Sequence, residues 1–248
     1  MCLILLAWRP GQAHPLVMAA NRDEFYDRPT LPLHTWDDVP GLCAGRDQLA
    51  GGTWLGVGRD GRFAALTNIR DPRQPPFGRS RGELLVQFLG DDRPVAAFLD
   101  ELTNRANQYS GFNVLLGDTE SLWFFSSREG QPRLLPEGLY ALSNADLDTP
   151  WPKSVRGKAA LERTLGAPDA EQLLALLHDS EQAAESLLPD TGIGDSAERL
   201  LSSIFIASRA YGTRASTALI VNADGSREMV ERSYGPFGAL IGEVRLNP

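Results

Sequence analysis

Directly behind Met1 the chain reads Cys2-Leu3-Ile4-Leu5-Leu6-Ala7-Trp8, an apolar run without a charged side chain. A short apolar run that ends in the turn-forming residues Arg9-Pro10-Gly11 is typical of a buried strand. The run is too short for a membrane span, and it lacks the basic flank of a secretory signal. It therefore predicts the first strand of a sheet, with Cys2 as its first residue.

Outward from this strand, the hydrophobic pattern predicts strands before and after a set of helices. Predicted strands cover residues 15–20, 53–57, 62–67, 112–117, 121–127, 139–143, 203–208, 217–222 and 227–234. Predicted helices cover residues 84–89, 94–107 and 152–188, the last broken at 166–168. Because strands and helices do not alternate strictly, this order is typical of antiparallel sheets with segregated helices. We predict an α+β fold, a four-layer αββα sandwich of two mainly antiparallel sheets, formed by residues 1–248 as a single domain.

The composition indicates a globular protein whose partners are small molecules or proteins. Hydrophobic residues make up 42% and charged residues 23% of the chain, which is ordinary for a soluble domain. The net charge of -8 argues against a nucleic acid or an anionic membrane as partner. The only cysteines are Cys2 and Cys43, which fits the reducing cytoplasm. His14, His34 and His178 are scattered without metal-ligand spacing, so we expect no metal site.

Cys2 carries the most specific chemical signal. If Met1 is removed, Cys2 holds a thiol and a free α-amine on the same residue. An α-amine has a pKa of about 7.7 to 8.0 and can take the thiol proton, which produces the attacking thiolate. The position therefore predicts an N-terminal-nucleophile (Ntn) hydrolase. The alternative is that Cys2 is simply a small buried residue of a strand.

Charged residues follow the second predicted strand, in the sequence Asn21-Arg22-Asp23-Glu24. Arg22 could favour a Cys2 thiolate, and Asp23 could hold the α-amine. Neighbouring residues of a strand point to opposite faces, so both can face Cys2 only where the strand has turned. The alternative is a solvated turn.

Five more residues are candidates for a site. Asn68 and Asn144 each follow a predicted strand; an Asn amide can donate to an oxyanion, although Asn is also a common turn residue. Arg214 precedes a late strand, where it could pair with substrate or belong to an ordinary polar loop. Arg70 and Arg81, with two further arginines between them, indicate an anion site for phosphate or carboxylate, or else a solvated loop.

Eight short motifs are spread over nearly the whole chain. They are Met1-Cys2-Leu3-Ile4, Asn21-Arg22-Asp23-Glu24, Gly51-Gly52-Thr53-Trp54-Leu55-Gly56, Thr67-Asn68, Ser80-Arg81-Gly82, Gly111-Phe112-Asn113, Leu142-Ser143-Asn144 and Tyr211-Gly212-Thr213-Arg214. Together they resemble the NRDE family, the transport-and-Golgi-organisation-2-like group. The resemblance implies an Ntn-hydrolase-like αββα fold, distantly similar to penicillin V acylases and bile-salt hydrolases, which cleave amide bonds with an N-terminal Cys.

Matched residue by residue, the resemblance also implies a set of catalytic residues. These are Cys2 as nucleophile, Asp23 as the early aspartate, Asn68 and Asn144 as the two site asparagines, and Arg214 as the late arginine. Arg22 departs from the pattern, because the early Arg and Asp of those acylases are separated along the strand. We therefore expect Arg22, with Arg70 and Arg81, to bind a ligand.

Two functions stay open at this point. The first is hydrolysis of the C–N amide bond of a small acylated substrate, which needs no cofactor. The second, which the resemblance implies, is non-enzymatic binding and intracellular trafficking of haem or of a lipid or acyl-CoA. Cys2, His14, His34 or His178 could then ligate the haem iron.

Overall fold

The computed structural model of the chain describes residues 2–73 and 77–248. Residues 74–76, which lie between Arg70 and Arg81 in the predicted anion site, are outside the described residues. The chain forms two compact units. The first unit comprises Met1–Asp27, Arg70–Pro72 and Glu137–Asn247, and the second comprises Arg28–Ile69, Arg73–Pro136 and Pro248. The assignment of residues 1–248 to a single domain stays a prediction.

Within residues 2–73 and 77–248 the structure contains thirteen strands and five α-helices, besides short 3-10 turns. The strands are β1 (Cys2–Trp8), β2 (Leu16–Phe25), β3 (Thr30–Thr35), β4 (Cys43–Asp47), β5 (Leu55–Val57), β6 (Phe63–Asn68), β7 (Phe112–Gly117), β8 (Leu122–Ser126), β9 (Arg133–Leu134), β10 (Gly138–Leu142), β11 (Tyr211–Val221), β12 (Arg227–Tyr234) and β13 (Leu240–Leu246). The helices are α1 (Gly82–Leu89), α2 (Val95–Arg105), α3 (Pro152–Thr164), α4 (Ala170–Leu176) and α5 (Asp195–Leu200). Within the described ranges, none of these helices has the length and apolar character that crossing a membrane requires.

The first unit holds a six-stranded antiparallel sheet in the order β10-β1-β2-β11-β12-β13. The odd-numbered side chains of β1, which are Leu3, Leu5 and Ala7, are buried in one core cluster with apolar residues of α3 and α4. Gly157 lets α3 approach the sheet, because a Cβ there would lie 2.8 Å from the methyl groups of Leu5. β1 is therefore a central buried strand, as its apolar run predicts.

The second unit holds a seven-stranded antiparallel sheet in the order β3-β4-β5-β6-β7-β8-β9. β5 and β6 are joined by a hairpin turn that contains Asp60 and Gly61. Both residues are left-handed, with φ angles of 53° and 72°, as a two-residue hairpin turn requires. The hydrophobic core of the second unit includes Phe88 of α1 and Phe98 of α2, whose ring centroids are 5.3 Å apart. Two antiparallel sheets with segregated helices confirm the predicted α+β class. The stacking into four layers stays a prediction.

The predicted strand over residues 203–208 is wrong, because this segment is an irregular loop. Ile204, Phe205 and Ile206 are buried, which explains the strand-like pattern. Their backbone groups bond outside a sheet, however. The N–H of Phe205 donates to the Asp179 carbonyl at 2.7 Å, and the N–H of Ile206 donates to the Thr213 hydroxyl at 3.0 Å. Buried backbone whose polar groups are satisfied in this way needs no strand partner.

Two motifs of the second unit, Gly51-Gly52-Thr53-Trp54-Leu55-Gly56 and Ser80-Arg81-Gly82, contact each other through their glycine backbones. The N–H of Thr53 donates to the carbonyl of Gly82 at 3.2 Å, which ties the segment before β5 to the first turn of α1. A Cβ on Gly52 would lie 2.4 Å from the carbonyl carbon of Gly82. No side-chain rotation can relieve a contact with backbone, so only glycine permits this approach.

Gly52→Ala is expected to lower the free energy of unfolding by about 2 kcal/mol, because the added methyl group must displace the backbone of α1. Denaturant unfolding followed by circular dichroism measures the change. Gly166→Ala is the matched control, since no atom of the described residues lies within 4 Å of a Cβ there. Equal unfolding midpoints for the two variants would contradict the close approach.

Candidate functional site

Cys2 and Arg22 are direct neighbours across β1 and β2. The antiparallel register pairs Cys2 with Arg22 and Leu3 with Asn21. Paired residues project from the same face of a sheet, and neighbours in sequence project from opposite faces. Arg22, which is buried, therefore shares the face of Cys2, while Asn21 and Asp23 lie on the face covered by α3 and α4.

Asn21 has a structural role in this motif. Its Nδ2 donates to the carbonyls of Leu177 at 3.0 Å and of Ile204 at 2.9 Å. Its Oδ1 accepts from the Ser216 hydroxyl at 2.6 Å. Asn21 thereby fastens the end of α4 and the 203–208 loop to the sheet.

Asp23 is buried at the end of β2, opposite β11. The Thr213 hydroxyl donates to Asp23 Oδ1 at 2.8 Å, and the Tyr211 hydroxyl donates to the Asp23 backbone carbonyl at 3.1 Å. Burial raises the pKa of the Asp23 carboxyl, and the Lys153 ammonium opposes this rise. The site therefore contains a carboxyl group that is easier to protonate than one at the surface.

Arg214 occupies a β-bulge, since the pairing of β11 with β2 changes register between Thr213 and Ala215. A bulge turns one side chain out of the regular alternation. The Arg214 guanidinium donates to the carbonyls of Phe25, at 3.4 Å, and of Tyr26. Burial lowers its pKa. Arg214 thus holds the chain that leaves β2, and its catalytic role stays a prediction.

Asn144 brings a third segment to Cys2. The backbone nitrogen of Cys2 donates to Asn144 Oδ1 at 3.3 Å, and the Ser143 hydroxyl donates to the Cys2 carbonyl at 2.9 Å. Ser143 and Asn144 follow β10, which pairs with β1 and so brings together residues 142 positions apart. The nitrogen that loss of Met1 would turn into an α-amine is therefore held by an amide oxygen.

The Cys2 side chain is a half-buried free thiol. Burial raises the pKa of this thiol and the Asp23 carboxylate raises it further, whereas the Arg22 guanidinium and the Asp23 backbone N–H lower it. The net shift is upward, so the thiol is protonated at neutral pH. It needs a base before it can attack a carbonyl.

Arg70 forms a buried ion pair with Glu198, with Nη1 and Oε2 2.6 Å apart and side chains 7% and 4% exposed. Its guanidinium carbon lies 4.6 Å from the centroid of the Trp151 ring. The Arg70 N–H donates to the Asn144 carbonyl at 2.8 Å. Arg70 therefore helps to hold Asn144 in place, and its binding of a ligand stays a prediction.

Asn68 and Arg81 belong to the second unit. Asn68 is the last residue of β6, opposite Phe112 of β7. Arg81 is the residue before α1, and its guanidinium donates to the Gly111 carbonyl at 3.2 Å. Their roles as a site asparagine and as a ligand contact stay predictions.

Lys153 and Glu198 are two buried charged residues of the first unit that sequence reasoning missed. Lys153 is 1% exposed and lies in the first turn of α3. A signal for it exists in the sequence, because a lysine directly after Pro152 would stand at the positive end of a helix dipole, where acidic residues are preferred. Glu198 offers no such signal, since a glutamate in a short polar helix is normally solvated.

Comparison with known proteins identifies relatives along the whole chain. A family model described as Transport and Golgi organisation 2 matches residues 1–236. The chain is 35% identical over 257 residues to the Transport and Golgi organization 2 homolog of Mus musculus, covering 94% of this chain and 93% of that protein. It is 37% identical over 260 residues to the Bos taurus homolog, with coverage of 94% and 93%. It is 25% identical over 265 residues to the Drosophila melanogaster protein, with coverage of 94% and 92%.

Among solved structures, a Caenorhabditis elegans N-acylethanolamine-hydrolyzing acid amidase (NAAA) ortholog aligns with a TM-score of 0.43 and 13% identity, over 90% of this chain and 96% of that chain. The family match and the sequence identities confirm the resemblance that the eight motifs indicate. The chain belongs to the Transport and Golgi organisation 2 family.

Proposed function

We propose that this protein is an N-terminal-nucleophile hydrolase that uses Cys2 to cleave the C–N amide bond of a small acylated substrate. The observation that carries the proposal is the hydrogen bond of 3.3 Å from the Cys2 nitrogen to Asn144 Oδ1. After removal of Met1 this nitrogen is an α-amine, and the same acceptor orients it beside the thiol. Arg22, the cross-strand partner of Cys2, adds a positive charge at the nucleophile.

The chemistry begins with a proton transfer, because burial keeps the Cys2 thiol protonated. The α-amine takes this proton, and Sγ bonds to the carbonyl carbon of the substrate. The NH₂ group of Asn144 and a backbone N–H donate to the oxyanion, each such donor contributing about 3 to 4 kcal/mol. The α-ammonium then returns a proton to the leaving nitrogen as the C–N bond breaks. Water hydrolyses the thioester, again with the amine as base.

Arg22 and Asp23 act on the charges that this first step creates. The guanidinium of Arg22 stabilises the thiolate, and the carboxylate of Asp23 stabilises the α-ammonium.

Cys2 and Cys43 are both free thiols. This supports a reducing compartment, and we propose the cytoplasm.

Cys2→Ala is expected to abolish hydrolysis, because both the nucleophile and its position beside the amine are lost. Amine release from a panel of N-acyl amides, followed by mass spectrometry, measures the activity. Cys43→Ala is the matched control, since Cys43 is a buried residue of β4. Its activity should equal that of the wild type.

A leucine inserted between Met1 and Cys2 separates the thiol from the α-amine. Intact mass is expected to find Met1 removed in the wild type and retained in the insertion variant. The variant should then be inactive although its thiol is present. Full activity with Met1 retained would contradict the N-terminal-nucleophile mechanism, and activity in Cys2→Ala would contradict any role of Cys2.

Asp23→Asn is expected to lower kcat/KM by at least about 100-fold, because the α-ammonium loses its counter-charge while the hydrogen bond from Thr213 keeps an acceptor. Asp27→Asn is the matched control, because Asp27 is exposed and lies four residues further along the chain. Unchanged kcat/KM in Asp23→Asn would remove this residue from the mechanism.

A second candidate function is the binding of an amphipathic anion such as haem or an acyl-CoA. The observation that favours it is a cavity of about 950 Å³ in the first unit, a size that suits a small-molecule ligand. Apolar side chains, three arginines, one histidine and one aspartate line it, including Leu174, Ile204, Leu240, Arg156, Arg163, Arg232, His178 and Asp179. Arg156 and Arg232 also form ion pairs with carboxylates, whereas Arg163 donates to the Ala159 carbonyl. Arginines can hold carboxylates or phosphates, and a histidine can ligate iron.

Saturable haem binding, measured by absorbance titration, should weaken at least about tenfold in His178→Ala, equal to ~1.4 kcal/mol. His34→Ala is the control, because the half-buried His34 belongs to the second unit and hydrogen-bonds to the Pro32 carbonyl at 2.8 Å. Competition with acyl-CoA tests whether the two ligands share the cavity. Absence of saturable binding of either ligand to the wild type would contradict this second candidate.

A further inference from the structure

The strands at the edges of the two sheets differ in how their outer backbone groups are protected. These edge strands are β10 and β13 in the first unit and β3 and β9 in the second. An open edge presents a row of unpaired N–H and C=O groups, to which a further strand can pair. Proline, a bulge, a short strand or a covering loop normally prevents such pairing. An edge that lacks this protection is therefore a candidate interaction surface.

In the part of the chain that the structure describes, three of the four edges are protected. β3 contains Pro32 and changes register against β4 between Leu31 and His34. β9 has only two residues. In β10, the N–H of Ala141 donates to Asp148 Oδ1 at 2.9 Å, and the Ala141 carbonyl accepts from the Asp148 N–H at 2.8 Å. The loop that follows β10 thus occupies backbone groups that a further strand would need.

The edge of β13 is open over most of its length. Its residues, 240–246, include no proline, and their pairing with β12 is regular from Gly242 to Leu246 after one register shift at the start. Within residues 2–73 and 77–248, their backbone groups have no partner outside this pairing. Leu240 and Ile241 are 60% and 64% exposed. β13 is therefore a long open edge that begins with exposed apolar side chains.

The charges of β13 fit a second copy of the same strand. Glu243 and Arg245 are two residues apart and so project from one face, with Val244 between them on the other. When two copies pair antiparallel about a two-fold axis at Val244, Glu243 of each copy lies opposite Arg245 of the other. A register centred on Glu243 or on Arg245 places like charges opposite each other, which is destabilising. The regular segment from Gly242 to Leu246 is itself centred on Val244.

Ion pairs within the chain continue this charge pattern onto β12. Arg232 lies opposite Glu243 and pairs with it at 2.8 Å between Nε and Oε2. Arg245 pairs with Glu228 of β12 at 2.5 Å and with Glu171 of α4 at 3.2 Å. A second copy would extend the row from Arg232 through Glu243 to its own Arg245, with charges that alternate. The charges thus select the register, whereas the pairing of the backbones supplies the contact.

We propose that this protein forms a homodimer through β13, with the two copies of the strand paired antiparallel about a two-fold axis at Val244. The two six-stranded sheets then form one continuous sheet, and the contact is isologous because each copy contributes the same residues. The open backbone edge of each β13 is satisfied by the other. The proposal rests on neither the hydrolase nor the ligand-binding function, since it uses only the edge strand.

Sedimentation equilibrium over a range of protein concentrations measures the dissociation constant of the dimer. Val244→Lys places two ammonium groups opposite each other at the axis and is expected to raise this constant at least about tenfold. Leu134→Lys is the matched control, because Leu134 is exposed on the edge strand β9, which takes no part in the contact. It should dimerise like the wild type. A monomeric wild type at every concentration, or unchanged dimerisation of folded Val244→Lys, would overturn the proposal.

Spin labels locate the axis without a substitution at Val244. Ile241→Cys and Asn247→Cys, each in a Cys2→Ala, Cys43→Ala background, are labelled with a nitroxide and measured by pulsed dipolar spectroscopy. Both residues are exposed and lie three positions from Val244, so each label is expected about 20 Å from its counterpart, at about 3.3 Å per residue. A register centred one residue earlier gives about 13 and 26 Å instead. Unequal distances of this kind, or no distance between copies, would overturn the proposal, and a monomer would leave the edge to a strand of another protein.

Discussion

The pairing of β1 with β2 is the constraint on which the candidate site depends. Leu3, Leu5 and Ala7 must face the core formed with α3 and α4, and the antiparallel register then brings Cys2 opposite Arg22. A slip of one residue would turn the apolar side chains of one strand to the wrong face. Hydrophobic burial along the strand thus sets which residues face each other at its first residue, Cys2.

Buried charge is the second constraint, and it acts through the helices of the first unit. The ion pair of Arg70 with Glu198 lies away from solvent, where desolvation offsets much of the Coulomb attraction. Glu198 gains additional hydrogen bonds from the backbone and hydroxyl of Thr191, and the Arg70 backbone holds Asn144. Removal of one partner would leave a buried charge, at a cost of about 3 to 5 kcal/mol. Arg70, Glu198, Thr191 and Asn144 therefore form one connected network of hydrogen bonds.

Both proposed functions use the first unit, at different places. Hydrolysis uses the end of β1, whereas the binding of an amphipathic anion uses the cavity that includes His178. The helix α3 contributes Arg163, near its end, to this cavity. A fold of this kind does not by itself select one activity, and the chemistry of each site has to be tested separately.

The sequence by itself determined the α+β class, the buried strand β1 and the hairpin at Asp60-Gly61, because periodicity and turn chemistry are local properties. It did not predict the exposed strand β13, and it misread the buried loop at 203–208 as a strand, since local pattern does not reveal where backbone groups find partners. Only the tertiary structure brought Asn144 to the nitrogen of Cys2, across 142 residues, and buried Lys153 and Glu198. Contacts of this kind depend on long-range strand pairing and on burial, which shift charge and pKa in ways that no stretch of neighbouring residues encodes.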